Sequence, residues 1–320
     1  MKPKIVIIGG GSGIPVIIKP LVKQDVDLSA IVTVADDGGS SGLLRNYINI
    51  VPPGDIRNIL VAMADTDPDI LKTFQYRFKS EDDFFAKHAV GNLIIAAMTE
   101  RYGNIFEAVQ KLSELMHVRG HIYPVSNQPL VLNALFDDGT EMEGESEITA
   151  AHRTIKRVWV TEEDGKVDVQ PVPEVLDAIR DADLIVYGPG SLYTSILPNV
   201  TIPAVQEALQ KTSAKQVYIA NIMTQKGETD TYTDAQHLAA LNHHIGKDVI
   251  DYLITNSTQV PEHFVDFQKW GEISQQVIQD PEGVRAQGAT PLSGDFLRLH
   301  DAGAFHDGQK VSTELMKILE

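Results

Sequence analysis

The chain of 320 residues contains no cysteine. Disulfide bonds, thiolate metal sites, iron–sulfur clusters and cysteine nucleophiles are therefore excluded. Long apolar runs are also missing, since no segment approaches the roughly 18 apolar residues that a membrane-spanning helix needs. The first apolar run, residues 5–8, is too short for the core of a signal peptide. We therefore expect a cytoplasmic protein without a membrane partner.

Basic residues are scarce relative to acidic ones, 27 against 44, which gives a formal net charge of −17 at pH 7. Such a surface repels nucleic acids and anionic membranes, because both need a basic footprint. The composition thus predicts no nucleic-acid partner. It does not decide whether the protein forms a homo-oligomer. An anionic small molecule can still bind at a local site built from backbone N–H groups, a metal ion or a few basic side chains.

Strand and helix patterns alternate through most of the chain. Residues 4–8 and 28–35 are apolar runs that end in glycine-rich loops, and a helix from Pro15 to about Lys23 is predicted between them. Such a β–loop–α–β unit implies a parallel sheet covered by helices on both faces. Further strands of the same kind are predicted at residues 184–187, 216–220 and 251–255.

Residues 125–172 interrupt this pattern. A hairpin whose first strand is residues 131–136 and whose turn is residues 137–139, together with a strand at residues 155–160, predicts a small antiparallel insertion. Beyond Pro261 the periodicity weakens, apart from a closing helix predicted at residues 311–319. With 43% hydrophobic residues, the chain is long enough for one large domain or for one domain plus a subdomain, and we predict a single α/β domain over residues 1–320.

The loop after the first strand, residues 9–13, holds four glycines. Glycine lets the backbone approach a phosphate closely, and the start of the next helix supplies N–H donors. The loop is neither a dinucleotide fingerprint, because Ile14 takes the position of the third glycine, nor a P-loop, because no Gly-Lys-Ser/Thr follows. We predict a phosphate-binding loop, with a tight strand–helix turn as the alternative.

The loop after the second strand places Asp36 and Asp37 at the same edge of the predicted sheet. An acid at this point holds the ribose in dinucleotide-binding folds. Two adjacent acids beside a phosphate loop also suit Mg²⁺, which takes one or two carboxylates together with phosphate oxygens. Ribose or substrate contact, metal binding and simple helix capping all remain open for this pair.

Later loops add further candidates. Asp55 is a plausible helix N-cap, and Arg57 and Asn58 follow it in the first turn, where an arginine can clamp a phosphate. His88 precedes Asn92 near another helix start, and it can serve as a phosphate contact, an acid/base group or a cap. Polar residues also crowd the ends of two late strands, at residues 188–195 and 221–229.

Several of these loops make the chain resemble the YvcK-type family of gluconeogenesis factors, within the wider CofD-like superfamily. The resemblance spans residues 4 to about 256 and is loose after Pro261. Its stretches are IIGGGSG at 7–13, IVTVADDGGSSG at 31–42, VPPGDIRN at 51–58, FQYRF at 74–78, HAVGNL at 88–93, DADLIVYGPGSLYTS at 183–195 and NIMTQKGET at 221–229.

The resemblance implies a three-layer α/β/α Rossmann-like sandwich with a mostly parallel sheet and a small antiparallel insertion. It also implies two alternative functions. Family members similar to this chain are regarded as regulators of carbon use and cell shape that bind UDP-sugars. The enzyme branch of the superfamily transfers 2-phospho-L-lactate from a GDP-linked donor to a deazaflavin alcohol with Mg²⁺. An NAD(P)-dependent enzyme is disfavoured by Ile14.

Roles for individual residues follow from the same resemblance. Asp37 and His88 are the candidates for catalysis, and Asp36 and Asp37 are the candidates for binding Mg²⁺. The residues expected to hold the nucleotide diphosphate ligand, a UDP-sugar, are Gly9, Gly10, Gly11, Ser12, Gly13, Asn58, Asn92, Gly188, Gly190, Ser191, Tyr193, Thr194, Asn221 and Thr224.

Overall fold

The structure, a computed structural model, describes residues 2–11, 13–48, 50–79 and 88–320, and only the backbone of residues 41 and 46–48. Seven strands of these described residues form one parallel sheet. The strands are β1 (Lys4–Gly9), β2 (Asp27–Val32), β3 (His121–Pro124), β7 (Leu184–Tyr187), β8 (Lys215–Ile219), β10 (Tyr252–Asn256) and β12 (Thr290–Gly294).

Helices cover both faces of this sheet, so the predicted three-layer α/β/α sandwich is confirmed. They are α1 (Pro15–Leu21), α2 (Gly39–Ile48), α3 (Gly54–Met63), α4 (Pro68–Gln75), α5 (Val90–Tyr102), α6 (Ile105–Leu115), α7 (Glu145–Ala150), α8 (Pro173–Asp181), α9 (Leu197–Val200), α10 (Pro203–Lys211), α11 (Asp234–Ile245), α12 (Pro281–Ala286) and α13 (Gly308–Leu319). A π-helical turn, Leu192–Ile196, leads directly into α9. No helix among the described residues combines the length and the apolar character that a membrane crossing requires.

The central strands are apolar because both faces of the sheet are covered. Ile5, Ile7 and Ile8 of β1 are fully buried, and every residue of β7 is buried as well. Burial of one such side chain is worth roughly 1.5–3 kcal/mol. Continuous apolar runs of this kind are typical of parallel strands, which is why the sequence identified these strands correctly.

The strand order reverses beside β1. On one side of β1 lie β2 and β3, and on the other side lie β7, β8, β10 and β12. Ile8 of β1 pairs with Tyr187 of β7, so the two strands end at the same level. A crevice opens at such a switch point, outside the carboxyl ends of the strands, and this is where open α/β sheets bind ligands.

A smaller antiparallel sheet packs beside the main one. It consists of β4 (Leu130–Phe136), β5 (Glu141–Glu143) and β6 (Ile155–Glu162), in the order β5-β4-β6. His244 of α11 fastens this sheet to the core, since its Nε2 accepts a hydrogen bond of 3.0 Å from the backbone N–H of Val158. Burial lowers the pKa of His244 to about 4, so the ring stays neutral and keeps this acceptor.

The C-terminal part contains short strand pairs that the sequence did not predict. β9 (Met223–Gln225) pairs with β11 (Ile273–Gln276), and β13 (Leu297–His300) pairs with β14 (Gly303–His306). These pairs share a small apolar cluster, separate from the main core, that includes Ile222, Met223, Val260 and Val265. Strands of three or four residues are too short for a local pattern to reveal them.

Three other differences lie nearer to the switch point. α2 begins at Gly39, inside the segment interpreted from the sequence as a loop, and α4 was not predicted at all. The predicted helix after the first strand also ends earlier than residue 23, at Leu21. Glycine and serine have low helix propensity, so the start of α2 depends on tertiary contacts rather than on local preference.

Candidate functional site

The glycine loop that follows β1 is packed between two other parts of the chain. A Cβ atom added to Gly10 would lie 2.7 Å from Cγ2 of Thr33, and one added to Gly13 would lie 2.8 Å from the carbonyl carbon of Pro189. Gly11 has a φ of +66°, which favours glycine. The glycines at these positions are therefore required for the backbone itself to enter the crevice.

The helix after this loop contributes less than the sequence suggested. α1 has seven residues, and Pro15 at its start lacks a backbone N–H. Ser12, the predicted hydroxyl donor of the loop, lies outside the described residues. The capacity of this wall to meet a phosphate therefore resides in the loop backbone rather than in a long helix dipole.

A second glycine loop, residues 188–191, faces the first from the end of β7. Gly188 and Gly190 have φ values of +74° and +151°. The backbone N–H of Gly190 donates a hydrogen bond of 3.2 Å to Oδ1 of Asn221, which fixes the loop against the strand end next to it. The two loops and the C-terminal part enclose a cleft of about 510 Å³.

The cleft has two chemically different walls. The wall at the switch point is mostly backbone, hydroxyl and amide, whereas the opposite wall comes from the C-terminal part and is largely aromatic. The switch-point wall includes Gly10, Gly11, Gly13, Pro189, Gly190, Ser191, Ser195, Asn221 and Gln225, and the opposite wall includes Trp270, Glu272, Ile273, His300, Phe305 and His306.

The aromatic wall is an ordered cluster of rings. The ring of His300 stacks on that of Phe305 at 4.2 Å between centroids and an interplanar angle of 15°. Trp270 meets Phe305 edge to face at 5.2 Å, and its indole Nε1 donates to the backbone oxygen of Asp301 at 3.2 Å. Rings held in this way present a flat surface on which a planar ligand can stack.

Within the loop after β7, the π-helical turn decides which side chains reach the cleft. Ser191 and Ser195 line it. Tyr193 is 2% exposed, and its hydroxyl lies 3.0 Å from the hydroxyl of Tyr232, on the inner side of the turn. Thr194 is also buried, so of the predicted ligand residues in this turn only Ser191 lies at the cleft.

Around the neighbouring β9, too, some side chains line the cleft and others are buried. Thr224 is fully buried, and its hydroxyl bridges to the backbone of Gln275 at 3.2 and 3.3 Å, which ties β9 to β11. Asn221 and Gln225 line the cleft instead. Thr224 thus supports the wall on which its neighbours present their amides.

A chain of polar side chains connects the glycine loop to His88. Asn58 reaches the carbonyl oxygen of Gly11 at 3.5 Å and accepts a hydrogen bond of 2.8 Å from Arg57. Arg57 also donates to Asn92 at 2.8 Å. The amide of Asn92 then donates to Oγ of Ser40 at 2.9 Å, and that hydroxyl pairs with Nδ1 of His88 at 2.9 Å.

This series of hydrogen-bonded side chains connects three residues that were predicted from the sequence to belong to the site. Asn58, His88 and Asn92 are connected, but they lie on the α3 side of the glycine loop, not on the lining of the cleft. Asn92 is 1% exposed, and both polar atoms of its amide are bonded within the chain. Its geometry is that of a residue that holds Arg57 and Ser40 in place.

Carboxyl groups gather beside the same loop. Asp55 accepts a hydrogen bond from the backbone N–H of Gly11, and burial, reinforced by the charge of Asp36, raises the pKa of Asp55 to about 7. Oδ1 of Asp36 accepts from the N–H of Gly38, and Oδ1 of Asp37 from the N–H of Ser146, both at 2.8 Å. The two predicted metal ligands are therefore each held by backbone.

These acids do not form a metal cage. Within residues 2–11, 13–48, 50–79 and 88–320, no group of three or more His, Asp or Glu side chains is arranged to hold a metal ion. Mg²⁺ bound beside Asp36 and Asp37 would have to complete its shell with ligand oxygens and water. The described side chains alone therefore do not complete a site for a metal ion.

Glu145 joins the carboxyl cluster from the start of α7, and no local sequence pattern indicated this position. Burial, together with the charges of Asp36 and Asp37, raises its pKa from 4.5 to about 8. The folded protein therefore retains a proton that the unfolded chain releases, and the wild type loses stability as the pH rises from about 4.5 to 8. We expect Glu145→Gln to be more stable than the wild type by about 1–3 kcal/mol at pH 8.5 and equally stable at pH 4.

Denaturant unfolding at both pH values measures this difference. Glu147→Gln is the matched control, because Glu147 is exposed on the same helix, and its effect should stay within about 0.5 kcal/mol at either pH. A Glu145→Gln protein whose stability tracks that of the wild type from pH 4 to 8.5 would show that the carboxyl is not held among like charges.

Several residues of the site were not predicted from the sequence. The local sequence patterns that could have indicated them differ in strength. Ser195 lies four residues after Ser191, so helical spacing already placed both on one face. Glu228 stands in a stretch quoted for the resemblance, yet nothing local shows that it is buried. Trp270 and Phe305 are 35 positions apart in sequence, and only the pairing of short strands brings them together.

Comparison with known proteins extends these observations. The family model of the 2-phospho-L-lactate transferase CofD matches residues 5–297. A relative in Lactococcus lactis is 49% identical over 317 residues, which cover 99% of this chain and 97% of the relative. The gluconeogenesis factor of Bacillus subtilis is 45% identical over 319 residues, covering 100% of this chain and 99% of that protein.

A solved structure agrees over the same length. The crystal structure of protein BH3568 from Bacillus halodurans superposes with a TM-score of 0.94 at 40% identity, covering 99% of this chain and 100% of that one. The similarity therefore includes the C-terminal part, where the motifs recognised in the sequence had faded. The chain belongs to the family of the 2-phospho-L-lactate transferase CofD.

Proposed function

We propose that this protein binds a nucleoside diphosphate sugar, a UDP-sugar, in the cleft and acts as a cytoplasmic regulator of carbon metabolism and cell shape. The observation that carries the proposal is the pairing of the two walls. A backbone loop suited to phosphates faces an ordered aromatic cluster suited to a base, across a cleft of about 510 Å³. That volume lies in the usual range for small-molecule sites.

The diphosphate is assigned to the glycine-loop wall. Among the described residues, no Lys or Arg side chain lines the cleft. Loop N–H groups other than that of Gly11, which donates to Asp55, and the hydroxyl of Ser195 are then left to meet the phosphate oxygens, together with the hydroxyl of Ser191 once it turns toward the ligand. Because this protein supplies little positive charge there, we expect Mg²⁺ carried by the ligand to strengthen binding.

The base is assigned to the aromatic wall, between Trp270 and the stacked pair His300 and Phe305. Stacking accepts any base, so the choice of uracil rests on the resemblance to UDP-sugar-binding proteins. Gln225 adds some selectivity at the side of the cleft. Its Oε1 accepts from Nδ2 of Asn221 at 3.2 Å, which leaves its NH₂ group to donate to a base carbonyl. Uracil and guanine offer such a carbonyl, whereas adenine does not.

Binding without turnover is supported by the engagement of the two candidate catalytic residues. His88 is 5% exposed and pairs with Ser40, and Asp37 is held by the backbone of Ser146. Neither side chain lines the cleft. The names of relatives point the same way, because the Bacillus subtilis protein is called a gluconeogenesis factor.

Thermal and calorimetric titration tests this proposal. UDP-N-acetylglucosamine, UDP-glucose, GDP-mannose and ADP-glucose are compared, each with and without Mg²⁺. A ligand at 100 times its Kd should raise the free energy of unfolding by about 2.7 kcal/mol. We expect the UDP-sugars to stabilise this protein and to be recovered unchanged, and ADP-glucose to bind least. Absence of binding by every nucleotide sugar contradicts the proposal.

A Mg²⁺-dependent phosphotransferase is the second candidate, because the family model that matches is that of a transferase. In such a reaction an acceptor hydroxyl attacks the donor diphosphate and a nucleoside monophosphate leaves. Asp37 or His88 would orient the acceptor. Incubation with nucleotide-linked donors, Mg²⁺ and a panel of alcohols distinguishes the two candidates. Release of a nucleoside monophosphate that depends on the acceptor supports transfer, and intact donor supports a regulator.

A further inference from the structure

Glu228 is a buried carboxyl directly behind the loop that lines the cleft. Its side chain is 4% exposed and accepts a hydrogen bond from the hydroxyl of Ser191. The backbone N–H of Tyr193 and the hydroxyl of Thr194 also contact the carboxyl. Ser191 lines the cleft on its other side. A single hydroxyl thus separates the buried carboxyl from the place assigned to the phosphates.

The hydroxyl of Ser191 has no hydrogen left for a ligand. Its one hydrogen goes to Glu228, and its lone pairs accept from the backbone N–H and the hydroxyl of Thr194 at 3.1 and 2.7 Å. A phosphate oxygen is only an acceptor. An approaching phosphate would therefore face lone pairs of Ser191 unless the hydroxyl turns away from Glu228.

We infer that Glu228 is a positioning residue that takes up a proton when an anionic ligand fills the cleft. In the bound state Ser191 turns its hydrogen to a ligand oxygen, and protonated Glu228 donates to Oγ of Ser191 in exchange. The hydroxyl of Thr194 turns to the carboxyl, which frees the lone pair. The proton comes from solvent, and no covalent bond of the ligand changes.

The surroundings of Glu228 favour this uptake. Burial raises its pKa to about 7, in spite of the hydrogen bonds it accepts from the hydroxyl of Ser191 and the backbone N–H of Tyr193. The titratable groups that face it are Tyr193 on the π-helical turn and Glu145 on α7, neither of which is a cation. His152 packs against the adjacent Gly227. A bound diphosphate would add negative charge and disfavour the carboxylate further.

The inference rests on the proposed function, and calorimetry separates the two. UDP-N-acetylglucosamine is a suitable probe because its diphosphate diester does not titrate near neutral pH. Titration at pH 7.5 in two buffers of different ionisation enthalpy gives the number of protons bound with the ligand. We expect an uptake of about 0.5–1 proton per site, and an affinity that falls up to about tenfold per pH unit above pH 7.

Two variants test whether Glu228 is the group that takes up this proton. Glu228→Gln keeps the shape and the acceptor but cannot titrate, so it should bind the probe with an uptake lowered by the wild-type contribution of Glu228 and a flatter pH profile. Ser191→Ala removes the hydroxyl between Glu228 and the ligand and should lower the proton uptake in the same way. This second variant keeps the test possible if Glu228→Gln fails to fold. Asp230→Asn is the matched control, because Asp230 is an exposed acid of the same turn.

The outcomes are distinct. Uptake that is lowered in Glu228→Gln and Ser191→Ala but keeps its wild-type value in Asp230→Asn supports the inference. Wild-type binding without proton uptake overturns the inference and leaves the proposed function intact, as does an uptake unchanged in Glu228→Gln. No binding of the probe at any pH contradicts the proposed function, and the inference falls with it.

Discussion

Gly13→Ala is expected to weaken binding of UDP-N-acetylglucosamine by at least about tenfold and to lower the free energy of unfolding by about 1–3 kcal/mol. The reason is steric. A Cβ atom at Gly13 would overlap the carbonyl group of Pro189 and lie 3.0 Å from Cα of Gly190. These are backbone atoms that cannot rotate away, so the two glycine loops must separate. Calorimetry and denaturant unfolding measure the two effects.

Gly271→Ala provides the control for this substitution. Gly271 lies near the aromatic wall, but a Cβ atom there meets nothing within 4 Å, and its φ is not in the left-handed region. We expect wild-type affinity and a stability change within about 0.5 kcal/mol. If Gly13→Ala binds the ligand as tightly as Gly271→Ala does, the contact between the two loops is not what shapes the site.

Trp270→Ala should weaken binding of the same ligand by about 10- to 100-fold, because stacking on an aromatic side chain is worth about 1–3 kcal/mol per base. Trp270 closes the cleft opposite the glycine loop, and its ring is fixed by Phe305 and by the backbone oxygen of Asp301. Trp270→Phe retains a ring and should lose much less. Calorimetric titration of the three proteins measures the series.

The second tryptophan gives a matched control for the same experiment. Trp159 lies on β6, away from the cleft, with the guanidinium of Arg157 at 4.9 Å from its ring. Trp159→Ala should leave the affinity unchanged. Equal losses in Trp270→Ala and Trp159→Ala would indicate a general loss of structure, and no loss in Trp270→Ala would place the base elsewhere.

The sequence determined the framework of the site because the signals there are local. β7 has the bounds predicted for it, residues 184–187, since a short apolar run ended by a glycine defines this strand. The glycine loop also stands at the crevice, as the rule for open α/β sheets requires. The predicted switch-point wall could thus be placed from residues 9–13 and 188–191 alone.

The opposite wall could not be predicted in this way. Trp270 lies in a segment of turns and short strands, and Phe305 reaches it only because β13 pairs with β14. Nothing in the local spacing of either residue indicates this meeting. For the same reason Tyr193 and Thr194 were expected at the ligand, although the π-helical turn directs both inward and leaves Ser195 at the cleft.

Buried polar residues are the second group whose role could not be predicted from the sequence. Asn92 and Glu228 are polar residues in motif stretches, which favours a ligand contact when only the sequence is considered. In the structure, the amide of Asn92 is hydrogen-bonded to neighbouring side chains, and Glu228 lies behind Ser191. Burial and hydrogen-bond partners, which depend on the whole fold, separate a residue that supports the site from one that touches a ligand.

The most direct test uses the fluorescence of Trp270. The chain has two tryptophans, so Trp159→Phe leaves Trp270 as the only one. If the base stacks between Trp270 and the rings of His300 and Phe305, titration with UDP-N-acetylglucosamine changes this emission saturably, at the Kd found by calorimetry. Binding by calorimetry with unchanged Trp270 emission would contradict a nucleotide site between the glycine loop and the aromatic wall.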